Sequence, residues 1–252
     1  GSLAMDASSS LGIVSNGGIE ILLLGCCGAN TSTKILEVST RALSRLAGNV
    51  SNLEGLVNQG AVEGLIAALV SSQGSLASAA DAILGLTLLC STGEYVELVC
   101  AKGGLSAVLT CLTGVANSAE GDEVKRKEII MAGLSFLEQI ASASSDGDAQ
   151  ASLLLSMSKQ DLWAILSIIE KYHSDVPLVT KGIRVVTAYV KANPAHGLLE
   201  DGGCPVAVVP LAVALLAEHA MFNDSEHVTA SDSSVRLVDE VLQLLNALLL
   251  VT

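Results

Sequence analysis

Ser15–Leu24 reads S-N-G-G-I-E-I-L-L-L, Asn58–Ala67 reads N-Q-G-A-V-E-G-L-I-A, and Ala101–Thr110 reads A-K-G-G-L-S-A-V-L-T. Gly18, Ala61 and Gly104 hold equivalent places, 43 and 43 residues apart. Glu200–Val209, E-D-G-G-C-P-V-A-V-V, is a fourth copy, and its Gly203 lies 99 residues past Gly104, room for one degenerate copy between. A period of this length predicts an all-α solenoid of about five units, because a unit of that size cannot bury its apolar face alone and must stack on neighbours. Such a fold points to a long binding surface and away from a catalytic pocket.

Each unit reads as a short helix, a glycine break, a second helix, a polar turn and a long third helix. The units fall at about 11–49, 50–92, 93–142, 143–193 and 194–252, after residues 1–10, which read as a tag and disordered start. Second helices are expected at Gly18–Cys27, Ala61–Val70, Leu105–Leu112, Asp161–Tyr172 and Val206–His219. Third helices are expected at Ser32–Gly48, Ser75–Ser91, Asp122–Ile140, Val176–Ala192 and Ser233–Val251. Asn30-Thr31-Ser32 has turn and N-cap chemistry, and Asp161 is the expected cap of its helix. Short first helices are expected at Ser51–Asn58, Ala149–Met157 and His196–Glu200, with loops at Thr113–Gly121 and Met221–Asp232. Ser142–Asp148, S-A-S-S-D-G-D, is the most linker-like stretch. Gly1-Ser2 reads as an expression scar, and the last helix ends without a cap, as expected of a piece of a longer protein.

Half of the 252 residues are hydrophobic but only 2% are aromatic, a composition suited to close packing of small and branched aliphatic side chains. The net charge of −13 argues against nucleic acid, whose phosphates are neutralised by basic residues, and against an anionic membrane surface. Mean hydropathy is +0.57, yet the longest apolar candidate, Cys204–Ala217, is too short to span a bilayer and carries two prolines, so a buried core and no membrane insertion is expected. The six cysteines form no C-x-x-C, and most lie on apolar helix positions, which predicts buried thiols in a reducing, cytoplasmic setting. Nucleus or cytoskeletal structures are compatible with the same thiols.

No H-E-x-x-H, G-x-S-x-G or phosphate-binding loop is present, so no enzyme and no cofactor is expected. The paired glycines before the second helices could form an anion nest, but chain reversal between two packed helices explains them. His173, His196, His219 and His227 lack paired spacing and read as surface residues, not metal ligands. Lys125-Arg126-Lys127 reads as a solvated helix start and not as a localisation signal.

Ala42-Leu43-Ser44-Arg45-Leu46-Ala47 closely resembles the third-helix A-L-S-x-L-A motif of the armadillo-repeat family. Gly85–Cys90 and Gly133–Leu137 are similar to it, and Val185–Tyr189 and Leu244–Leu248 more weakly so. The glycine-led second helices resemble the family's G-G-x-x-x-L-x-x-L-L. The resemblance implies a right-handed superhelix whose third helices line a concave groove, and a non-enzymatic scaffold or adaptor that holds an extended protein segment. Two alternatives stay open: an exchange factor that clasps a chaperone lobe, and a regulatory domain cut from a larger enzyme. Peptide-binding members of the family carry an Asn ladder at the x position, with nearby Trp. Here the ladder positions are Arg45, Leu88, Phe136, Ala188 and Ala247, and the only Trp, Trp163, is on a second helix. Recognition of basic nuclear-import signals is therefore not expected.

Steps of −4, −7, −11 and +3 from each ladder position follow one helix face. On that stripe lie Lys34, Arg41, Arg45, Lys125, Lys181, Arg184, Lys191 and Arg236, eight of the thirteen basic residues, against two acidic ones, Asp81 and Glu240. Leu84, Leu88, Ala132 and Phe136 interrupt it. Basic ends around an apolar middle predict an acidic or amphipathic partner segment.

Overall fold

A computed structural model describes residues 7–28, 31–71, 75–118, 122–143, 157–192, 204–220 and 232–251. These residues form thirteen α-helices, two short 3-10 turns and no strand. The chain divides into two compact units, Gly1–Ala143 and Ser144–Thr252, with the division inside the linker-like Ser142–Asp148 stretch.

In the first unit the helices are α1 (Ala7–Ser15), α2 (Gly18–Cys27), α3 (Thr33–Ala47), α4 (Leu53–Asn58), α5 (Ala61–Ser71), α6 (Leu76–Leu89), α7 (Val96–Ala101), α8 (Gly104–Asn117) and α9 (Glu123–Ala143). They form three triplets. Each junction between a first and second helix is a left-handed glycine: Gly17, Gly60 and Gly103 have φ of 76°, 86° and 88°. An L side chain is strained there, whereas glycine turns the chain without that cost. The third helices open on equivalent caps, since Ser32 accepts from the Ile35 amide and Ser75 from the Ser78 amide. α2 packs on α5 and α5 on α8, while α3 lies along α6 and α6 along α9. The core between them is aliphatic, with Ile19, Leu43, Leu56, Leu65, Ile83, Leu86 and Leu112 fully buried.

Two expectations shift in this unit. α1 begins at Ala7, inside the segment read as a disordered start, and buried Ser10 accepts a hydrogen bond from Asn49 Nδ2 at 3.1 Å. α8 continues through Thr113–Asn117, where a loop was expected, because Leu112 and Val115 continue its buried face.

The second unit holds α10 (Lys159–Lys171), α11 (Val176–Ala192), α12 (Cys204–Ala220) and α13 (Asp232–Val251). α10 starts on a reciprocal cap in which Ser158 is the N-cap and Asp161, expected to be the cap, is the N3 partner. α11 lies along α13, and α10 and α12 pack on them. The first helices expected at Ala149–Met157 and His196–Glu200 and the loop at Met221–Asp232 fall almost wholly outside the described residues.

Two devices recur in both units. The hydroxyl before the ladder position donates to the carbonyl four residues back: Thr87 to Ile83 and Thr187 to Ile183 at 2.8 Å, Ser135 to Met131 at 2.7 Å. That satisfies a half-buried or buried polar group inside its own helix. A third-helix glycine also meets a second-helix aliphatic side chain. A Cβ on Gly85 would come within 2.9 Å of Leu65, one on Gly133 within 2.5 Å of Leu112, and one on Gly182 within 2.6 Å of Ile169.

Candidate functional site

The third helices of the first unit carry the candidate surface. On α3, Lys34, Arg41 and Arg45 are exposed, as expected. Leu84 is exposed and Leu88 half-buried on α6, and Lys125 is exposed at the start of α9. Phe136 is fully buried. It is a core side chain and not part of an open groove: Leu134 and Leu137 beside it are buried just as Leu43 and Leu46 are on α3, but the ladder position between them is closed on α9 and open on α3.

The stripe is less positive than its composition suggests. Its two acidic residues are the partners of two of its arginines. Arg41 Nε donates to Asp81 Oδ2 at 3.1 Å between α3 and α6, and Arg184 Nε donates to Glu240 Oε1 at 2.7 Å between α11 and α13. The Arg41 and Arg184 side chains are 48% and 42% exposed, so each pair is a solvent-screened tie that sets register more than stability. These bonds bring the stripe positions of neighbouring third helices onto one surface within each unit. Ser75 Oγ adds a second tie, donating to Glu37 Oε1 of α3 at 2.6 Å. Lys34, Lys125 and Lys191 make no ion pair with the described residues and keep the stripe cationic there. Lys181 is half-buried, and Arg236 is exposed.

Arg126, expected at a solvated helix start, is 8% exposed. Its Nη1 donates to the Ser118 carbonyl at 2.9 Å and its Nη2 to Glu123. The signal was its spacing, three and four residues before buried Ile129 and Ile130. Arg126 borders an apolar cavity of about 660 Å³ between α5, α6 and α8, walled by Leu69, Val70, Ala107 and Thr110. Small residues on α8 leave that space open. In the second unit, Trp163, Leu166, Glu170 and Pro210 line a cavity of about 480 Å³.

Cys26, Cys27, Cys90, Cys100 and Cys111 are free. Burial pushes the Cys26 thiol up to about 11 and Cys90 to about 12, and Cys100 and Cys111 to about 11. Such thiols stay protonated and weakly nucleophilic near neutral pH. Cys27 differs from the expected buried class and is exposed. The hydrogen bond from Lys102, 2.8 Å away, holds the Glu63 carboxyl below its usual range. Among the described residues no group of three or more His, Cys, Asp or Glu could hold a metal, and no single helix is long and apolar enough to cross a membrane.

No family model matches the chain, and neither a curated protein nor a solved structure matches it.

Proposed function

We propose that the protein is a non-enzymatic scaffold of the armadillo type, a right-handed superhelix of about five three-helix repeats that holds an extended, acidic or amphipathic protein segment along its third helices. The observation that carries this reading is the side-by-side packing of α3, α6 and α9, with the Arg41–Asp81 tie placing neighbouring stripe residues on one surface. Lys34, Arg41 and Arg45 supply the cationic end, Leu84 and Leu88 the apolar part, and Lys125 the next cation. Free cysteines support a reducing compartment.

A surface of this kind should act mainly on association rate and salt response. The test is a peptide display library read at low and high ionic strength against the wild type and Arg41→Glu/Arg45→Glu. The expected binders are acidic and amphipathic, weaken with salt, and are lost by the double reversal while its melting curve is unchanged. Full-strength binding by the double reversal would remove these residues from the site.

A further inference from the structure

A buried cation stands in the wall of the larger apolar cavity. That cavity, about 660 Å³, lies between α5, α6 and α8, and Arg126 of α9 borders it. Among the described residues that line it, Arg126 carries the only charge, since burial keeps the Cys111 thiol protonated at neutral pH. Arg126 is more than nine-tenths buried.

Comparison of the repeats shows how the space and the charge arise. Where α2 meets α5, Leu23 occupies the space in which a Cβ on Gly64 would stand, and Leu36 of α3 is buried. Shifted by 43 residues, Leu36 becomes Ala79 and Ser71 becomes Gly114, and both of these smaller residues line the cavity. The volume lost at the two places is left open. The third helices superimpose on Gly85 and Gly133, which meet Leu65 and Leu112 and lie 48 residues apart. In that register Arg126 takes the place of Ser78, a fully buried hydroxyl. A guanidinium thus stands where the preceding repeat keeps a small neutral group.

A charge so far from water is costly unless it is paired. Nη1 of Arg126 donates to the Ser118 carbonyl at 2.9 Å, and Nη2 donates to Glu123. The Glu123 side chain is 48% exposed, so water screens this pair on its outer side and a second carboxylate can take its place at small cost. Small-molecule sites are mostly apolar spaces of roughly 300–1,000 Å³ in which a few polar groups fix orientation. This cavity has that size and that make-up. Its charge selects the ligand. One planar guanidinium matches one carboxylate as a fork, and it disfavours a cationic head.

We propose that the cavity binds a small amphipathic carboxylate, its apolar body between α5 and α8 and its carboxylate on Arg126 in exchange for Glu123.

The test is titration calorimetry of the full chain with decanoate. Decanol and decyltrimethylammonium are the uncharged and cationic probes with the same apolar body, all kept below micelle-forming concentrations. The expected result is one decanoate per chain, bound at least about tenfold more tightly than either other probe. Gly114→Leu fills the cavity and should abolish decanoate binding. Arg126→Gln should lower decanoate to the level of decanol. Glu123→Gln removes the competing carboxylate and should tighten decanoate. Melting curves check that the variants fold, and if Arg126→Gln does not, the other two variants and the three probes still decide. Absence of saturable decanoate binding would overturn the proposal. So would decanol binding as tightly as decanoate, or decanoate binding that Gly114→Leu leaves unchanged.

Discussion

Residues 17, 60 and 103 of the first unit are left-handed glycines that open a second helix, whereas in the second unit α10 opens on the Ser158–Asp161 reciprocal cap. The junction differs, but the packing beyond it is shared. Thr187 repeats the back-bonded hydroxyl of Thr87 and Ser135, and Gly182 on Ile169 repeats the close approach of Gly133 on Leu112. α11 lies along α13 as α3 lies along α6. The entry to a second helix can thus be built in two ways, while the contact between second and third helices keeps one geometry. The glycine break is one solution to reversing the chain. The third-helix motif is what sets the packing.

The largest expected effect separates core from surface on one stripe. Phe136→Ala should cost roughly 3–5 kcal/mol, because it empties a fully buried aromatic site. Arg45→Ala, at the equivalent ladder position but exposed, should change stability by less than about 0.5 kcal/mol. Urea unfolding of both reads the contrast. Equal costs would mean that the ladder position is core, or surface, throughout.

Next in size is the device shared by the two units. Gly133→Ala and Gly182→Ala each drive a Cβ into a branched side chain, Leu112 or Ile169, and should each cost roughly 1–3 kcal/mol of overpacking. Thermal unfolding followed by a probe in each unit should place the first loss in residues 1–143 and the second in residues 144–252. A neutral Gly182→Ala would show that the close approach belongs to the first unit alone.

The cysteines give the smallest effect, visible only in base. Folded Cys26 and Cys90 titrate near 11 and 12, above the ordinary thiol value of 9.0. The folded state therefore holds its thiol protons more tightly than the unfolded chain. That contribution is fully present below pH 9 and is lost as pH rises through 11 to 12. The urea midpoint should fall across that window and fall less in Cys26→Ala/Cys90→Ala. At neutral pH a maleimide should label Cys27 first. Rapid labelling of Cys90 in the folded protein would contradict its burial.

Much of this architecture is legible in the chain. The glycine spacing locates the breaks, Ser32 is the cap its sequence suggests, and the A-L-S-x-L-A motif places α3, α6 and α9. Phe136 is misplaced by the same reading because helical spacing assigns a face but not what covers it. The ladder position is open on α3, where Arg45 lies, and closed on α9. Arg126 is misplaced for the converse reason: charge suggests water, but its spacing from Ile129 and Ile130 puts it on the buried side. The Arg41–Asp81 and Arg184–Glu240 pairs span 40 and 56 residues. They depend on the register between helices, which local pattern does not encode.

The central claim is that the first unit is one junction built three times. It is tested most directly by alanine at each glycine against an internal control. No atom lies within 4 Å of a Cβ placed at Gly17 or Gly103, and at Gly60 the nearest are 3.9 Å away. Alanine there meets only the left-handed backbone. Gly114 sits in open space inside α8, where alanine is the better helix former. Urea unfolding should show Gly17→Ala, Gly60→Ala and Gly103→Ala each losing about 1–2 kcal/mol, and Gly114→Ala gaining up to about 1 kcal/mol. The same substitution would then carry one sign at three places 43 residues apart and the opposite sign at the fourth. Stabilisation by alanine at any of the three junctions would contradict the account.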